Sequence, residues 1–158
     1  MEEKKSYNVA IVGASGVVGR ELVKILEERE FPVGSLRLLA SERSLGQTVP
    51  FNNGHIDIEV LTKSSFDGID IALFSAGASV SKEFCPIAAE QGVYCIDNTS
   101  FFRMDESVPL VVPEVNSDAI KPSHRIIANP NCSTAQMMVV LKPIMDAVGL
   151  VRVVASTY

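Results

Sequence analysis

The stretch Asn8-Val9-Ala10-Ile11-Val12-Gly13-Ala14-Ser15-Gly16-Val17-Val18-Gly19 decides the fold class of this 158-residue chain. Its first five residues form an apolar run that ends at a glycine, which is typical of a buried strand. Residues 21–29 follow with apolar side chains at helical spacing, so the order is strand, glycine loop, helix. Such glycines allow a tight turn and let the backbone approach a pyrophosphate at the helix N-terminus. The spacing is Gly-x-x-Gly-x-x-Gly rather than the commoner Gly-x-Gly-x-x-Gly, and the alternative is a tight turn without a ligand.

Five further strands are predicted, at residues 36–40, 55–60, 70–74, 93–96 and 125–128. Helical segments are predicted at 79–91 with an interruption at Pro86, from about Asn116, and at 133–147 with a kink at Pro143. Repeated β-α-β order with short polar connections predicts an α/β fold with a Rossmann-like, doubly wound, mostly parallel sheet. The segment 55–60 alternates polar and apolar residues, which favours a half-exposed strand at an edge.

Composition excludes several classes of function. With 14 Lys and Arg against 19 Asp and Glu, the net charge is −5, which argues against a nucleic-acid or anionic-membrane partner. No apolar run approaches the roughly 20 residues that span a bilayer, and the charged first residues 1–6 are unlike a signal peptide. Cys85, Cys95 and Cys132 match no metal-ligand pattern, so we expect a reduced, cytoplasmic protein without a metal site.

The end of the second strand is expected to select the cofactor. Ser41-Glu42-Arg43-Ser44 follows that strand. Glu42 suits the ribose 2′-hydroxyl of NAD, whereas Arg43 between hydroxyl residues suits the 2′-phosphate of NADP. We therefore predict NADP; the alternative is a solvated polar turn. The small residues Ser75-Ala76-Gly77-Ala78 leave room for a cofactor at the carboxyl end of another strand.

The stretch Ile127-Ala128-Asn129-Pro130-Asn131-Cys132-Ser133-Thr134 leads from the last strand of the sheet into a long helix. Cys132 lies at or next to the first helical position, where unpaired N–H groups and the helix dipole favour a thiolate. Asn131 or Ser133 is expected to cap the helix. The alternative is a small buried apolar residue, which is our interpretation of Cys85 and Cys95.

Polar residues also follow the strand at 93–96. Asp97 to Ser100 are expected to face the same crevice as the glycine loop, and Arg103 is a candidate anion ligand or an ordinary surface arginine. His124 is close to Cys132 in sequence, but six residues at about 3.3 Å each place the two nearly 20 Å apart, at opposite ends of a strand. His55 falls on a polar strand face. We therefore expect no histidine near the Cys132 thiol.

Four motifs, taken in chain order, resemble the amino-terminal half of aspartate-semialdehyde dehydrogenase. They are Gly13-Ala14-Ser15-Gly16-Val17-Val18-Gly19, Ser41-Glu42-Arg43-Ser44, Asp97-Asn98-Thr99-Ser100 with Arg103, and Asn129-Pro130-Asn131-Cys132-Ser133-Thr134. The resemblance runs from Tyr7 to Tyr158, and the cysteine motif is its most specific part. Ala78, where the family often has a second glycine, and the bulky Phe101 are small departures.

The resemblance implies roles for individual residues. Cys132 would be the nucleophile that carries the acyl group, with Asn131 beside it in the catalytic motif. Arg103, with Asn98, would bind phosphate or the phosphoryl group of the substrate. NADP would be bound by residues of the glycine loop and the strand ends, namely Gly13, Ser15, Gly16, Val17, Val18, Arg43, Ser44, Ser75, Ala76 and Gly77.

The reaction implied by the resemblance is the reversible, NADPH-dependent reduction of β-aspartyl phosphate to aspartate semialdehyde and phosphate through a Cys132 thioester. It would serve lysine, threonine and methionine synthesis, including the diaminopimelate pathway, and the full-length protein would be a homodimer or homotetramer. The histidine and the substrate anchors of the family lie further along than this chain, so we expect cofactor binding without turnover. Two alternatives are N-acetyl-γ-glutamyl-phosphate reductase, whose motif typically reads Asn-Pro-Gly-Cys, and a non-catalytic NADP-binding regulatory protein.

The chain is predicted to divide at the nucleophile. Residues 1–131 would form the NADP-binding Rossmann-like domain. Residues 132–158 would supply the nucleophile helix and, at 151–158, the first strand of a second, β-rich catalytic and dimerisation domain that is cut off. An apolar strand without a partner in its own domain invites pairing with another chain segment.

Overall fold

A seven-stranded sheet forms the centre of the computed structural model, which describes residues 5–157. The strands lie in the order β3-β4-β2-β1-β5-β6-β7, and all neighbours are parallel except the antiparallel pair β3 and β4. Their bounds are β1 Tyr7–Val12, β2 Val33–Ala40, β3 Thr48–Phe51, β4 Gly54–Val60, β5 Ile71–Phe74, β6 Tyr94–Asp97 and β7 Ile126–Ala128. The predicted Rossmann-like, doubly wound sheet is confirmed.

Two long helices cross between parallel strands. The helices are α1 Val17–Glu28, α2 Ala78–Glu90, α3 Pro113–Asn116 and α4 Cys132–Val148, with single 3-10 turns at Glu42–Ser44, Lys63–Phe66 and Ser117–Ala119. The crossover through α1 runs from β1 to β2, and the one through α2 runs from β5 to β6 in the opposite direction along the sheet. Because such crossovers are right-handed, α1 and α2 lie on opposite faces. The strand order reverses between β1 and β5, which is where ligands bind in open α/β sheets.

The strand at the edge of the sheet beside β4 is not the one that the sequence analysis predicted. β4 was expected at an edge, but the short strand β3, which the sequence analysis did not identify, pairs with it in a hairpin and takes that position. Asn52 and Asn53 make the turn at φ 49° and 63°, a region that asparagine tolerates better than most residues. Pro50 interrupts the strand pattern, and a proline is accepted in an edge strand because its missing N–H removes no ladder bond inside the sheet.

Two further predictions need correction. α2 continues through Pro86 without a break; its neighbours Cys85 and Ala88 are buried against the sheet, and this packing compensates for the one N–H that proline lacks. Residues 151–157 form neither a helix nor a strand and are exposed, so the predicted terminal strand is not found there. A strand needs a hydrogen-bonding neighbour, and none of the described strands pairs with this segment. Tyr158 lies outside the described residues.

Apolar side chains pack on both faces of the sheet. On the α2 face, Val12, Phe74, Cys85 and Cys95 belong to one buried cluster. On the α1 face, Ile11 of β1 packs in a second cluster with residues of α1, β2 and β4. An apolar groove of about 510 Å³ also crosses the strands β1, β5, β6 and β7 on that face. Within residues 5–157, no helix combines the length and the apolar character that crossing a bilayer requires.

Candidate active site

The loops that follow four neighbouring strands meet at one edge of the sheet. Past the strand ends the backbone ladder continues: Gly13 N–H donates to the Leu39 carbonyl at 2.8 Å and Ser75 N–H to the Val12 carbonyl at 2.8 Å. Asn98 N–H donates to the Phe74 carbonyl at 2.9 Å, and Asn129 N–H to the Asp97 carbonyl at 2.8 Å. The glycine loop, the small-residue loop, the polar loop and the approach to Cys132 are therefore adjacent, as the sequence predicted.

Glycine occupies the three positions of the first loop for different structural reasons. A Cβ at Gly13, which has a φ of +93°, would lie 2.9 Å from the Ala76 nitrogen, and one at Gly19 would lie 2.2 Å from the Gly13 carbonyl oxygen. Both positions therefore need glycine for packing within the protein. A Cβ at Gly16 would meet only the Gly13 oxygen, at 3.4 Å, which is ordinary contact. The protein itself leaves room at Gly16, so this glycine fits the close approach of a ligand.

The start of α1 offers backbone donors beside Gly16. Gly16 is the N-cap, and no side chain caps the helix. The first N–H groups of a helix have no partner within it, and the side chains of Val17 and Val18 are exposed rather than folded over them. An anion held here would also gain from the helix dipole.

A cavity of about 460 Å³ lies between the ends of β1, β2 and β5. It is lined by Val12, Gly13, Ser15, Gly16, Ala40, Ser41, Leu61, Ser75, Ala76, Val80 and Phe84. Five residues predicted to bind cofactor are among these, but Val17, Val18, Arg43, Ser44 and Gly77 are not. Sequence reasoning missed the apolar wall made by Leu61, Val80 and Phe84; the spacing of Val80 and Phe84 by four residues on α2 was the available signal.

The turn after β2 presents its polar residues unequally. Ser44 is buried, and its hydroxyl donates to the Ser15 hydroxyl at 2.9 Å. Ser41, Glu42 and Arg43 are exposed. The structure thus brings the turn against the glycine loop, with Ser44 making the contact and Arg43 left accessible.

Cys132 is the first residue of α4, as predicted. Asn131 caps the helix: its Oδ1 accepts hydrogen bonds from the Ser133 amide at 3.0 Å and the Ser133 hydroxyl at 2.6 Å. The Cys132 thiol lies 3.8 Å from the same oxygen and is exposed. The interpretation of Cys132 as a buried apolar residue is therefore excluded, and the predicted cap is confirmed for Asn131.

Arg103 is anchored beside the approach to Cys132. Its Nε donates to the Asn129 carbonyl at 3.0 Å, and its Nη2 donates to the Asn98 carbonyl at 3.0 Å. The Asn129 side-chain amide donates in turn to Asn98 Oδ1. Arg103 is therefore half-buried and oriented rather than a free surface arginine. Among its contacts with the described residues, none engages Nη1, so that edge of the guanidinium can receive an anion.

The other two cysteines are core residues, as predicted. Cys85 and Cys95 are fully buried, and the Cys95 thiol contacts the Cys85 carbonyl oxygen at 3.6 Å. The hydrogen bond to Cys95, together with burial, raises the pKa of the Cys85 thiol well above its ordinary range. A thiol in this state is a poor nucleophile.

Neither histidine is placed for proton transfer to Cys132. His124 precedes β7, and its Nδ1 accepts a hydrogen bond from the Lys121 amide at 3.1 Å; Cys132 follows the other end of that strand. His55 is exposed on β4, across the sheet. Residues 5–157 hold no cluster of three or more His, Cys, Asp or Glu side chains able to bind a metal ion.

This architecture defines the class: the chain is a Rossmann-like nucleotide-binding domain with an exposed cysteine thiol at the carboxyl ends of its parallel strands. Residues 8–123 match the family described as semialdehyde dehydrogenase, NAD binding domain. Since this match covers more than half of the chain, the chain belongs to that family.

Individual relatives give the comparison more detail. The aspartate-semialdehyde dehydrogenase of Aquifex aeolicus (strain VF5) is 59% identical over 155 residues, which are 96% of this chain and 46% of that protein. Aspartate semialdehyde dehydrogenase II of Vibrio cholerae, solved in complex with ASA, aligns with a TM-score of 0.87 and 55% identity over 91% of this chain and 48% of that one. The Candida albicans enzyme, solved with NADP, has a TM-score of 0.71 and 26% identity, over 91% and 48%. The chain therefore spans about half the length of these relatives.

Proposed function

We propose that this chain is the cofactor-binding and nucleophile-bearing part of an NADP-dependent aspartate-semialdehyde dehydrogenase. The reaction is the reversible reduction of β-aspartyl phosphate to aspartate semialdehyde and phosphate, in the synthesis of lysine, threonine and methionine. One observation carries the proposal: an exposed thiol at the first residue of α4 lies on the same sheet edge as the glycine loop. The relatives from Aquifex and Vibrio support the choice of substrate.

The residues around the 460 Å³ cavity fit a dinucleotide. The space at Gly16 admits a pyrophosphate, whose oxygens would accept from the first N–H groups of α1. Arg43 would pair with the 2′-phosphate, with the hydroxyl of Ser41 as a further donor. Ser75, Ala76 and Gly77 leave room for the rest of the cofactor at the end of β5. NADPH, when bound, supplies the hydride for the reduction.

Cys132 would form the covalent intermediate. Its sulfur attacks the acyl carbon of β-aspartyl phosphate, so that an S–C bond forms, the C–O bond to the phosphoryl group breaks and phosphate leaves. The thiol proton passes to a base or to water. The N-terminal end of α4 stabilises negative charge that develops there, and the Asn131 cap fixes the position of the thiol on the helix. A thioester lacks the resonance of a carboxylate, so the difficult reduction is divided into two easier steps.

Arg103 and Asn98 would receive the phosphate. The two carbonyl contacts of Arg103 hold the guanidinium in one orientation, with its Nη1 edge available for a charge-assisted hydrogen bond. Because Asn129 accepts one of these bonds and lies three residues before Cys132, the anion site and the thiol are fixed to the same loop. Asn131 also favours this reaction over that of N-acetyl-γ-glutamyl-phosphate reductase, whose motif has glycine there.

Proton transfer and the anchoring of the substrate carboxylate are proposed to come from residues other than those described. His55 and His124 are both remote from Cys132, so the 158-residue chain is proposed to bind NADP(H) without turnover. The residue ranges 1–131 and 132–158 remain the proposed cofactor domain and the start of a catalytic and dimerisation domain. The whole protein is proposed to act in the cytoplasm as a homodimer or homotetramer.

Acylation of the thiol tests the proposal directly. The chain is mixed with β-aspartyl phosphate, quenched in acid and examined by intact-mass spectrometry and peptide mapping. We expect an aspartyl adduct on Cys132, no adduct with Cys132→Ser, and unchanged NADPH binding by that variant. N-acetyl-γ-glutamyl phosphate should give less adduct. Adducts on other residues, or equal labelling of Cys132→Ser, would overturn the proposal.

A further inference from the structure

The carboxyl group of Asp97 is fully buried at the end of β6, between two parts of the crevice. Its Oδ1 accepts from the Ser81 hydroxyl at 2.7 Å and from the Thr99 amide at 2.9 Å. Its Oδ2 accepts from the Thr99 hydroxyl at 3.0 Å. Ser81 and Thr99 are themselves buried. All three donors are neutral, and no cationic side chain of residues 5–157 forms an ion pair with Asp97.

We propose that Asp97 is a positioning residue that holds the cofactor side and the nucleophile side of the crevice in register. The inference rests on the function proposed above, since it assigns the two contacts of Asp97 to two steps of that reaction. The Ser81 contact would position the loop that receives the cofactor, and the Thr99 contacts would position the loop that supports Arg103 and Cys132.

The first contact reaches the cofactor side through the start of α2. Ser81 lies in the first turn of that helix, and its amide donates to the Gly77 carbonyl at 3.2 Å. Fixing Ser81 therefore fixes the helix start, and with it Ser75 and Ala76, which line the 460 Å³ cavity. Val80, next to Ser81, lines the same cavity.

The second contact reaches the nucleophile side through the polar loop. The Thr99 hydroxyl accepts from the Phe101 amide at 3.3 Å while it donates to Asp97, so the loop is held on both sides of Thr99. Asn98, directly before it, accepts from Arg103 through its carbonyl and from Asn129 through its side chain. The chain of hydrogen bonds thus ends three residues before Cys132.

Folding stability alone does not explain a carboxyl group at this position, because an apolar side chain would serve stability as well or better. Burying an acid is costly, and well-packed apolar replacements of buried polar groups are often neutral or stabilising. The two oxygens together accept three hydrogen bonds from residues on two different elements, which an amide cannot do because one of its ends only donates. The geometry therefore points to alignment of the two loops as the reason for an acid here.

Two single-residue variants separate the roles. Ser81→Ala removes the contact to α2, and Thr99→Val removes the hydroxyl contact to the polar loop. On the 158-residue chain, we expect Ser81→Ala to weaken NADPH binding roughly fivefold, the equivalent of one hydrogen bond, with the Cys132 alkylation rate within about twofold. We expect Thr99→Val to change the Cys132 alkylation rate by a similar roughly fivefold factor, with NADPH affinity within about twofold.

A conservative variant of Thr99 and a variant of Asp97 itself complete the test. Thr99→Ser keeps the hydroxyl and should restore the alkylation rate, whereas Asp97→Asn should move both readouts. If Asp97 is merely structural, all variants should have a lower melting temperature, but NADPH affinity and the Cys132 alkylation rate should be unchanged at temperatures well below it. That result overturns the inference. A Ser81→Ala variant that changes only the alkylation rate, or a Thr99→Val variant that changes only NADPH affinity, overturns it as well. If Asp97→Asn does not fold, Ser81→Ala and Thr99→Val still decide. Failure of the unaltered chain to bind NADPH would instead count against the proposed function.

Discussion

The Ser44 hydroxyl donates a hydrogen bond to the Ser15 hydroxyl at 2.9 Å, and so joins the turn after β2 to the glycine loop. Both residues were predicted to contact the cofactor. Their mutual bond gives Ser44 a structural part in the crevice, and its contact with the cofactor stays a prediction. The exposed side chains of the same turn, Arg43 and Ser41, are then the groups available to a 2′-phosphate.

Arg43 is therefore expected to decide between the two nicotinamide cofactors. Arg43→Ala should weaken NADPH binding by roughly 1.5–3 kcal/mol, the usual contribution of a charge-assisted hydrogen bond, and should leave NADH binding nearly unchanged. Isothermal titration calorimetry with both cofactors measures the difference. Arg43 is exposed, so the effect should shrink as salt is added.

Glu42→Ala is the matched control, since Glu42 is the neighbouring exposed residue that would suit the 2′-hydroxyl of NADH. It should not weaken NADPH binding, and the loss of a negative charge near the phosphate should even strengthen it slightly. Equal losses for both cofactors in Arg43→Ala would reject Arg43 as the discriminator, and a large loss of NADH binding in Glu42→Ala would reverse the cofactor assignment.

Two glycines of one loop should respond to alanine in opposite ways. At Gly16, where a Cβ has ordinary contact, Gly16→Ala should leave the free energy of unfolding little changed but weaken NADPH binding at least about tenfold, because the methyl group occupies the space of the pyrophosphate. At Gly19, a Cβ would lie 2.2 Å from the Gly13 oxygen. Gly19→Ala should therefore cost about 1–3 kcal/mol in folding stability through overpacking.

Urea denaturation and fluorescence titration of NADPH, applied to both variants, separate the two effects. A stable Gly16→Ala variant with unaltered NADPH affinity would show that no ligand approaches the loop there. A Gly19→Ala variant as stable as the unaltered chain would mean that α1 can move away from the loop without cost.

Sequence patterns predicted the parts of this site that depend on local order. The strand, loop and helix around Gly13 to Gly19, and the cap that Asn131 makes before Cys132, are each set by residues close together in the chain. What could not be predicted depends on contacts between distant segments. The Ser44 contact with Ser15 joins residues 29 positions apart, and the contact of Asp97 with Ser81 joins residues 16 positions apart. Periodicity carries no information about such pairs.

The errors in the fold have the same origin. β3 was not identified because a four-residue edge strand with a proline has a weak local pattern, and only its pairing with β4 makes it a strand. The continuation of α2 through Pro86 is decided by its packing on β5 and β6 rather than by helix propensity. The strand expected at 151–158 is not formed, because no neighbouring strand pairs with residues 151–157. There the local pattern favours a strand but the pairing is missing.

Cys132 should be the most reactive of the three thiols. It is exposed at a helix start, whereas Cys85 and Cys95 are fully buried, and the hydrogen bond to Cys95 and burial raise the pKa of Cys85. Alkylation of the native chain with limiting iodoacetamide near neutral pH, followed by peptide mapping, should label Cys132 first. Low protein concentration avoids masking of the thiol by association of chains.

Cys132→Ser is the control for this labelling. The variant should take up almost no reagent while folded and should label at Cys85 and Cys95 once denatured. Earlier labelling of either buried cysteine in the unaltered native chain would remove the main structural reason for assigning the nucleophile to Cys132.

The 158-residue chain should bind NADP(H) and yet show no turnover of aspartate semialdehyde with phosphate. The groups proposed to hold the cofactor and the acyl group lie together at the sheet edge, but His124 is held at the far end of β7 by its contact with the Lys121 amide. Loss of a general base typically lowers a rate by about 10²–10⁴-fold, and loss of substrate positioning lowers it further. Acylation of Cys132 by an acyl phosphate can still proceed slowly, because a thiolate attacks without a base. The deciding assay follows NADPH formation by its absorbance with the purified chain, and then with a separately expressed carboxyl half of a relative added. Activity that appears only in the mixture supports the proposal that the catalytic base lies in the carboxyl half. His124→Ala should not change that activity. Robust turnover by the chain alone, lost in His124→Ala, would show that the catalytic base lies within this chain.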